Sequence, residues 1–324
     1  MSQFDAVFVG LTTLDIAGRP IRGIPPGGGV EFIEQIRLSP AGTACGAVLN
    51  AAQLGIHTAV AACLGDDEKG DFIAGVWRRL GIDGSLIQRT QASETSATIL
   101  AIRPNGERPA LHCRGASDHL FIDDADFPRV CDTRFLHLGG SGLLAAMGNG
   151  QSAKLLAWAH QHGVTTSFDR MARTEQALGR LAPMLPYIDY FGPAMEEGAE
   201  MSGQQEPEDI ARFFLDRGVG TCMVKDGARG AWVSAGGQDG EGKRIGHARG
   251  EGVDRGGAGQ GGPQAGEAPG RAGQVQGAPE GDGEYRHLGA LGRLATSARQ
   301  HGQGQDQGGH LLGGGVQGVA GQGQ

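Results

Sequence analysis

Six short stretches carry residue types that can act on small polar ligands. In FVGLTTLD, Asp15 stands just past the apolar run Phe4–Leu11. The ends of strands in open α/β sheets are where ligands bind, and a carboxylate there can accept bonds from two sugar hydroxyls. Turn capping is the other use of such an aspartate. In SPAGTACGAVLNAAQLG, Gly42 and Gly46 flank small residues at a loop-to-helix junction. They would admit a ligand to the helix N-terminus, or simply let helix and sheet pack closely. In PAMEEGAEMSG, Glu196 and Glu197 fall in the first turn of a helix, where the macrodipole favours acids; Glu197 could also stand as an outer-shell ligand of Mg²⁺. In VKDGARGAWV, Lys225 could reach a phosphate beside a tight turn at Gly227, or the stretch is a plain surface hairpin. In HLGGSGLLAAMG, Gly140-x-Gly142-x-x-Ala145 mimics a dinucleotide fingerprint and so keeps a nicotinamide-dependent dehydrogenase among the alternatives. However, Asp169 lies 29 residues beyond Gly140, where the fingerprint places its acid about 20 on. Lastly, GVDRGGAGQGG, from Gly252 to Gly262, is either a loop that holds phosphate or part of a glycine-rich tail.

The elements that would position these residues alternate between strand and helix. Strands are expected at Phe4–Leu11, Thr58–Gly65, Arg134–Leu138, Thr165–Asp169, Tyr190–Pro193 and Thr221–Lys225. Between them lie a small-residue helix from Gly42 to Leu54 and one carrying Phe72, Ile73, Val76, Trp77 and Leu80 on a single face. Further helices are expected at Ser152–His162, Thr174–Leu185 and Glu208–Arg217. This order predicts an α/β fold, a mostly parallel sheet covered on both faces. Two segments break the rhythm. Val30–Leu38 alternates apolar and polar residues apart from Ile33, and Ser96–Arg114 contains Asn105-Gly106, a hairpin signal. Both read as antiparallel strands added to one edge of the main sheet, with lid segments at about 17–40 and 95–115.

Past Trp232 the composition changes. Of the chain's 60 glycines, 30 lie from Gly236 onward, and no Phe, Trp, Met or Cys follows. Such a segment buries little apolar surface against the entropy of ordering it. A domain is therefore expected over 1–243 and a Gly/Gln-rich low-complexity tail, disordered by composition, over 244–324. A change of reading frame is one origin for so abrupt a shift. It requires that another frame of the coding DNA encode an amphipathic helix in its place.

The net charge of −8 with no basic stripe argues against nucleic acid as the partner. No apolar run approaches a membrane span. The five cysteines, odd in number and without a CxxC pair, read as reduced thiols of a cytoplasmic protein. The ten histidines show no metal-ligand spacing.

Taken in order, the blocks resemble the ribokinase-like carbohydrate kinases, the phosphofructokinase B group, over roughly residues 4 to 235. The matching blocks are the first strand with Asp15, Ala41-Gly42-Thr43-Ala44-Cys45-Gly46 with Leu54-Gly55, and Gly65-Asp66-Asp67-Glu68-Lys69-Gly70. GERPALHCRGAS, FDRMAR with Asp169, FGPAMEEGAEMSG and VKDGARGAWV follow. The resemblance implies a three-layer α/β/α domain with a small β lid. It also implies ATP-dependent phosphorylation of a sugar or nucleoside hydroxyl with Mg²⁺, and a homodimer through the lid. Asp15, Gly42, Gly46 and Asp169 would lie near the sugar, Glu197 near the metal, and Lys225 and Gly227 near the nucleotide. In this family a Gly-Ala-Gly-Asp sequence supplies an anion hole and the aspartate that takes the proton from the attacking hydroxyl. Gly257, Ala258 and Gly259 keep the first part, and Gln260 stands at the base. A neutral amide takes no proton at neutral pH. The family's asparagines are also replaced, by Gly46, Met171 and Ala194. These departures imply an impaired kinase, or a sugar- or nucleoside-binding protein without catalysis.

Overall fold

The computed structural model describes residues 2–169 and 177–236, and the backbone of 243–245. The Gly/Gln-rich segment beyond 245, with Gly257, Ala258, Gly259 and Gln260, lies outside the described residues, as does Met171.

The chain opens with strands β1 (Phe4–Gly10), β2 (Thr13–Arg19) and β3 (Gln35–Ala41), then helix α1 (Thr43–Gln53). Strands β4 (Thr58–Ala61) and β5 (Cys63–Gly65) precede helix α2 (Glu68–Arg79), and β6 (Gln88–Thr90), β7 (Ala97–Ala101) and β8 (Ala110–Cys113) follow it. After the short helix α3 (Phe127–Val130) come β9 (Thr133–Gly139), α4 (Gln151–Gln161), β10 (Thr165–Asp169), α5 (Ala177–Leu181) and β11 (Tyr190–Phe191). The described chain ends with α6 (Met195–Ser202), α7 (Pro207–Leu215), β12 (Thr221–Lys225), β13 (Ala231–Ala235) and β14 (Lys243–Ile245).

Eight strands form the main sheet in the order β14-β13-β12-β11-β10-β9-β1-β4. From β12 to β4 all neighbours run parallel, and β13 and β14 close the edge antiparallel. The interior strands are apolar runs because helices cover both faces: Val7, Val9, Leu136, Leu138 and Phe168 are all buried. On α2, Ile73 and Trp77 are buried as the one-face pattern requires, while Leu80 at its end is exposed. The chain leaves β1 toward β4 on one side and places β9 on the other, so the strand order reverses between β1 and β9. A crevice outside the strand tips at such a reversal is where doubly wound sheets bind ligands.

Several expected boundaries differ. The lid is no edge extension of the main sheet but a sheet of its own, in the order β3-β2-β7-β8. Its inner strand β2 is not among the strands expected from the sequence. The bend at Leu11 and Thr12 carries the chain out of the main sheet and straight into the lid, so Asp15 is a strand residue. The expected strand at Val30–Leu38 pairs only from Gln35, because β2 offers partners as far as Arg19. Thr58–Gly65 splits in two: β4 joins the main sheet and β5 pairs with β6 in a separate ladder. The helix expected at Thr174–Leu185 is regular only over Ala177–Leu181 among the described residues. Lys243–Ile245 pairs with β13, so the sheet takes in two residues of the supposed tail.

Candidate active site

Four glycines meet where β1, β9 and α1 converge. Gly10 and Gly139 pair at the ends of their strands. Gly10 has φ 136, and a Cβ there would overlap the carbonyl oxygen of Gly139. Gly42, which begins α1, has φ 97, and a Cβ on it would overlap the carbonyl oxygen of Leu11. Gly140 adopts the left-handed region at φ 79, and its missing side chain makes room for Leu11 and Thr43. Only glycine permits this approach of helix N-terminus to strand tips. Gly46, expected near a ligand, lies one turn into α1 and is buried; its N–H donates to Gly42 O at 2.7 Å.

The same contacts explain the apparent dinucleotide fingerprint. Gly140 and Gly142 lead into a single 3-10 turn, Ser141–Leu143, and the next helix starts only at Gln151. A fingerprint needs a helix N-terminus directly behind its glycines to hold pyrophosphate. Here they pack on Leu11 and Thr43 instead.

Asp15, half-buried on β2, lies opposite Ser39 of β3 and Thr98 of β7. Its charge acts on Cys45 of α1, whose thiol burial pushes up to about 12. The lid carboxylate and the start of α1 thus belong to one neighbourhood. At the tip of β10, Asp169 receives Lys225 from β12: Nζ lies 3.5 Å from Oδ1, and the side chains are 19% and 20% exposed. Lys225 spans the intervening β11 because its own N–H is anchored on Pro193 O at 2.9 Å. That anchor also sets α6 beside it. Glu197, in the first turn of α6, accepts from the Ala194 N–H at 3.0 Å. The alanine has no side-chain oxygen to return a bond, so this half-cap leaves Glu197 turned back toward the helix start. Gly227, with φ 51, starts the 3-10 turn that links β12 to β13.

His137 was not singled out by the sequence. It is buried on β9, its Nδ1 is 2.8 Å from Ser167 Oγ, and burial lowers its pKa to about 4. It therefore enters the core neutral. The buried hydroxyls of Thr12 and Thr43 have no hydrogen-bond partner among the described residues. A histidine two residues before a double glycine at a strand tip was the available signal.

Among the described residues, Gly42 packs on Leu11 at the end of β1, Asp169 and Lys225 meet at the ends of β10 and β12, Glu197 begins α6 just past β11, and Asp15 stands on the lid strand β2. Gly257, Ala258, Gly259 and Gln260 lie outside the described residues. Among the described residues no group of three or more His, Cys, Asp or Glu side chains could hold a metal ion. A Mg²⁺ held mainly by phosphates and water needs only one or two carboxylates, so Glu197 suits an outer-shell place. No helix of the described residues is long and apolar enough to cross a membrane.

The family model described as pfkB family carbohydrate kinase matches residues 4–259. The chain is 26% identical over 250 residues to a 2-dehydro-3-deoxygluconokinase of Bacillus subtilis, covering 72% of this chain and 75% of that protein. It is 24% identical over 150 residues to a probable fructokinase-3 of Arabidopsis thaliana, covering 45% of this chain and 44% of that one. Among solved structures, a putative ribokinase II from E. coli superposes with a TM-score of 0.65 at 21% identity, over 78% of this chain and 81% of the other. A PfkB protein from Polaromonas sp. JS666 gives 0.63 at 24% identity, over 75% and 82%. With the lid, the strand-tip glycines and a family match across most of its length, this chain belongs to the pfkB family of carbohydrate kinases.

Proposed function

We propose that this chain binds a sugar or nucleoside between the strand tips and the lid, and transfers phosphoryl from ATP to it only feebly. Asp15 holds ligand hydroxyls. The start of α1 at Gly42 faces them, and Asp169 and Lys225 close the far side. ATP with Mg²⁺ would supply the phosphoryl group, with Lys225 and Gly227 on the nucleotide side and Glu197 behind the metal's water shell. Substrate names borne by relatives, a dehydrodeoxygluconate and fructose, define the first compounds to try.

The observation that carries the reading of impairment is Gln260 directly after Gly257-Ala258-Gly259. The family match includes those three residues and ends at 259. Positioned acid–base catalysis is commonly worth ~10²–10⁴ in rate, and an amide cannot supply it. The same residue supports the second reading, a protein that binds sugar without turning it over. An ADP-release assay over fructose, ribose and 2-dehydro-3-deoxygluconate, run with the chain as it stands and with Gln260→Asp, separates them. Slow turnover raised by Gln260→Asp supports the impaired kinase, and calorimetric binding with no ADP from either protein supports the second reading. Turnover near ~10 s⁻¹, a typical enzyme value, from the unaltered chain refutes both. The proposed change of reading frame is tested on the coding DNA: if no alternative frame encodes Gly-Ala-Gly-Asp followed by an amphipathic helix, it falls.

A homodimer through the lid belongs to the same proposal. Leu38, Ile16, Ile99 and Leu111 align across all four lid strands. Leu38, Ile99 and Leu111 are 47%, 51% and 72% exposed, an apolar row that a second lid would cover. Sedimentation as a monomer at micromolar concentration would refute it. A cytoplasmic setting suits the five free thiols.

A further inference from the structure

Asp169 ends β10 with open space on one side. Its direct neighbour on β9 is Gly139, and on β11 the chain runs from Phe191, the neighbour of Phe168, into Gly192. The place of a side chain at Gly139 is taken up by Thr43 and His137, whereas a Cβ on Gly192 would meet nothing nearer than Met223 at 3.8 Å. The tip of β10 is therefore closed toward β9 and open over Gly192. Its backbone is held, because the Gly140 N–H donates to Asp169 O at 3.1 Å. Two other carboxylates near the strand ends are engaged. Glu197 accepts from the Ala194 N–H, and Asp226 Oδ1 accepts from Arg229 at 2.8 and 3.1 Å. The Asp169 side chain has its only ion pair among the described residues in Lys225, which lies 3.5 Å from Oδ1. That leaves Oδ2 for a ligand in the open space.

We propose that Asp169 is a catalytic residue of this chain, taking the proton of the acceptor hydroxyl during phosphoryl transfer from a nucleoside triphosphate. A carboxylate and an ammonium side by side suit that step: one accepts a proton, and the other faces the negative charge of the transferring group. The amide of Gln260 can do neither. The acceptor oxygen forms a bond to the γ-phosphorus while the bond from that phosphorus to the bridging oxygen breaks. The hydroxyl proton passes to Asp169 Oδ2, the nucleoside diphosphate leaves with the electron pair, and Asp169 then gives the proton to water. This inference rests on the reading of the chain as a weak kinase, and it names the group that sustains the remaining turnover.

The test sets turnover against binding on the full chain. ADP release and calorimetric sugar affinity are measured with fructose, ribose and 2-dehydro-3-deoxygluconate for the unaltered chain, Asp169→Asn and Asp169→Glu. Asp169→Asn should lower kcat about 100-fold or more, the scale of positioned acid–base catalysis. It should change sugar affinity less than roughly 3-fold, below the value of one hydrogen bond, and that surviving affinity shows the variant to be folded. Asp169→Glu keeps the carboxylate and should restore part of the turnover. A kcat unchanged by Asp169→Asn would overturn the proposal while the kinase reading stands. Affinity lost in step with turnover would make Asp169 a holder of the ligand and overturn it as well. If the unaltered chain releases no ADP with any of the three sugars, the kinase reading falls and the proposal with it.

Discussion

Replacing Asp67 by asparagine tests how the lid is fastened to the main domain. Asp67 caps α2: Oδ1 accepts from the Gly70 N–H at 2.8 Å and from the Thr95 hydroxyl at 2.6 Å, and Oδ2 accepts from the Thr95 N–H at 2.8 Å. Thr95 leads into lid strand β7, and its hydroxyl also accepts from the Gly65 N–H at 2.9 Å. One carboxylate therefore ties a helix start, a strand end and the entry to the lid. Lys69 adds a contact at 3.2 Å, and the aspartate side chain is only 18% exposed. These donors outweigh the cost of its desolvation and hold its pKa near 2, below the ordinary 3.8. A shift of that size corresponds to about 2 kcal/mol favouring the ionised form. Asparagine keeps the shape but turns an amide NH₂ toward donors, so about 2–3 kcal/mol should be lost at pH 7. For a domain of this size that is a fall in Tm of roughly 5–10 °C. The pH dependence has a definite sign. A carboxylate with a depressed pKa contributes fully above its unfolded value, near 4, and loses that contribution as pH falls toward 2. Urea unfolding of the two proteins should thus show a constant gap between pH 5 and 8 that narrows below about 4. A gap under about 0.5 kcal/mol at pH 7, or one that widens in acid, would refute the reasoning.

Other substitutions probe the strand tips. Gly42→Ala should cost well over the ~1–2 kcal/mol of left-handed backbone strain, because its Cβ meets the Leu11 carbonyl, whereas Gly55→Ala, at φ 78 with open space around it, should cost only that strain. Equal urea midpoints for the two variants would count against the packing described. His137, held neutral with a pKa near 4 against the ordinary 6.5, should make stability fall as pH drops from 6.5 toward 4, because only the unfolded chain takes up the proton there. His137→Gln should flatten that slope in urea titrations, and an unchanged slope would exclude His137 as its source. A double-mutant cycle on Asp169→Asn and Lys225→Met should return a coupling of about 1 kcal/mol for this partly buried pair; additive losses would mean that the two charges do not interact.

Residues close in sequence were legible from the sequence, because local periodicity and turn chemistry act over a few residues. The strand Thr165–Asp169, the Asn105-Gly106 hairpin and the apolar face of α2 needed nothing more. The Gly-x-Asp-x-x-Gly block could be matched to the family, although that Asp67 reaches Thr95 could not be read from it. That Gln260 carries a neutral amide was legible as well, since side-chain chemistry is a property of residue type.

What the tertiary structure alone decided are the meetings across the chain. Asp15 reads as a residue past a strand end until β2 is seen to pair with β3 and β7, whose sequences lie far apart. Gly10 and Gly139 acquire a purpose only when 129 residues of separation close to leave no room for a Cβ. Thr98 and His112 join Asp15 on one face because strand registry, set by backbone hydrogen bonds along whole strands, fixes which side chains stand side by side. Composition and spacing name the polar groups near the strand ends. Which of them share a face is settled by pairing energies summed over the fold, and no local window contains that sum.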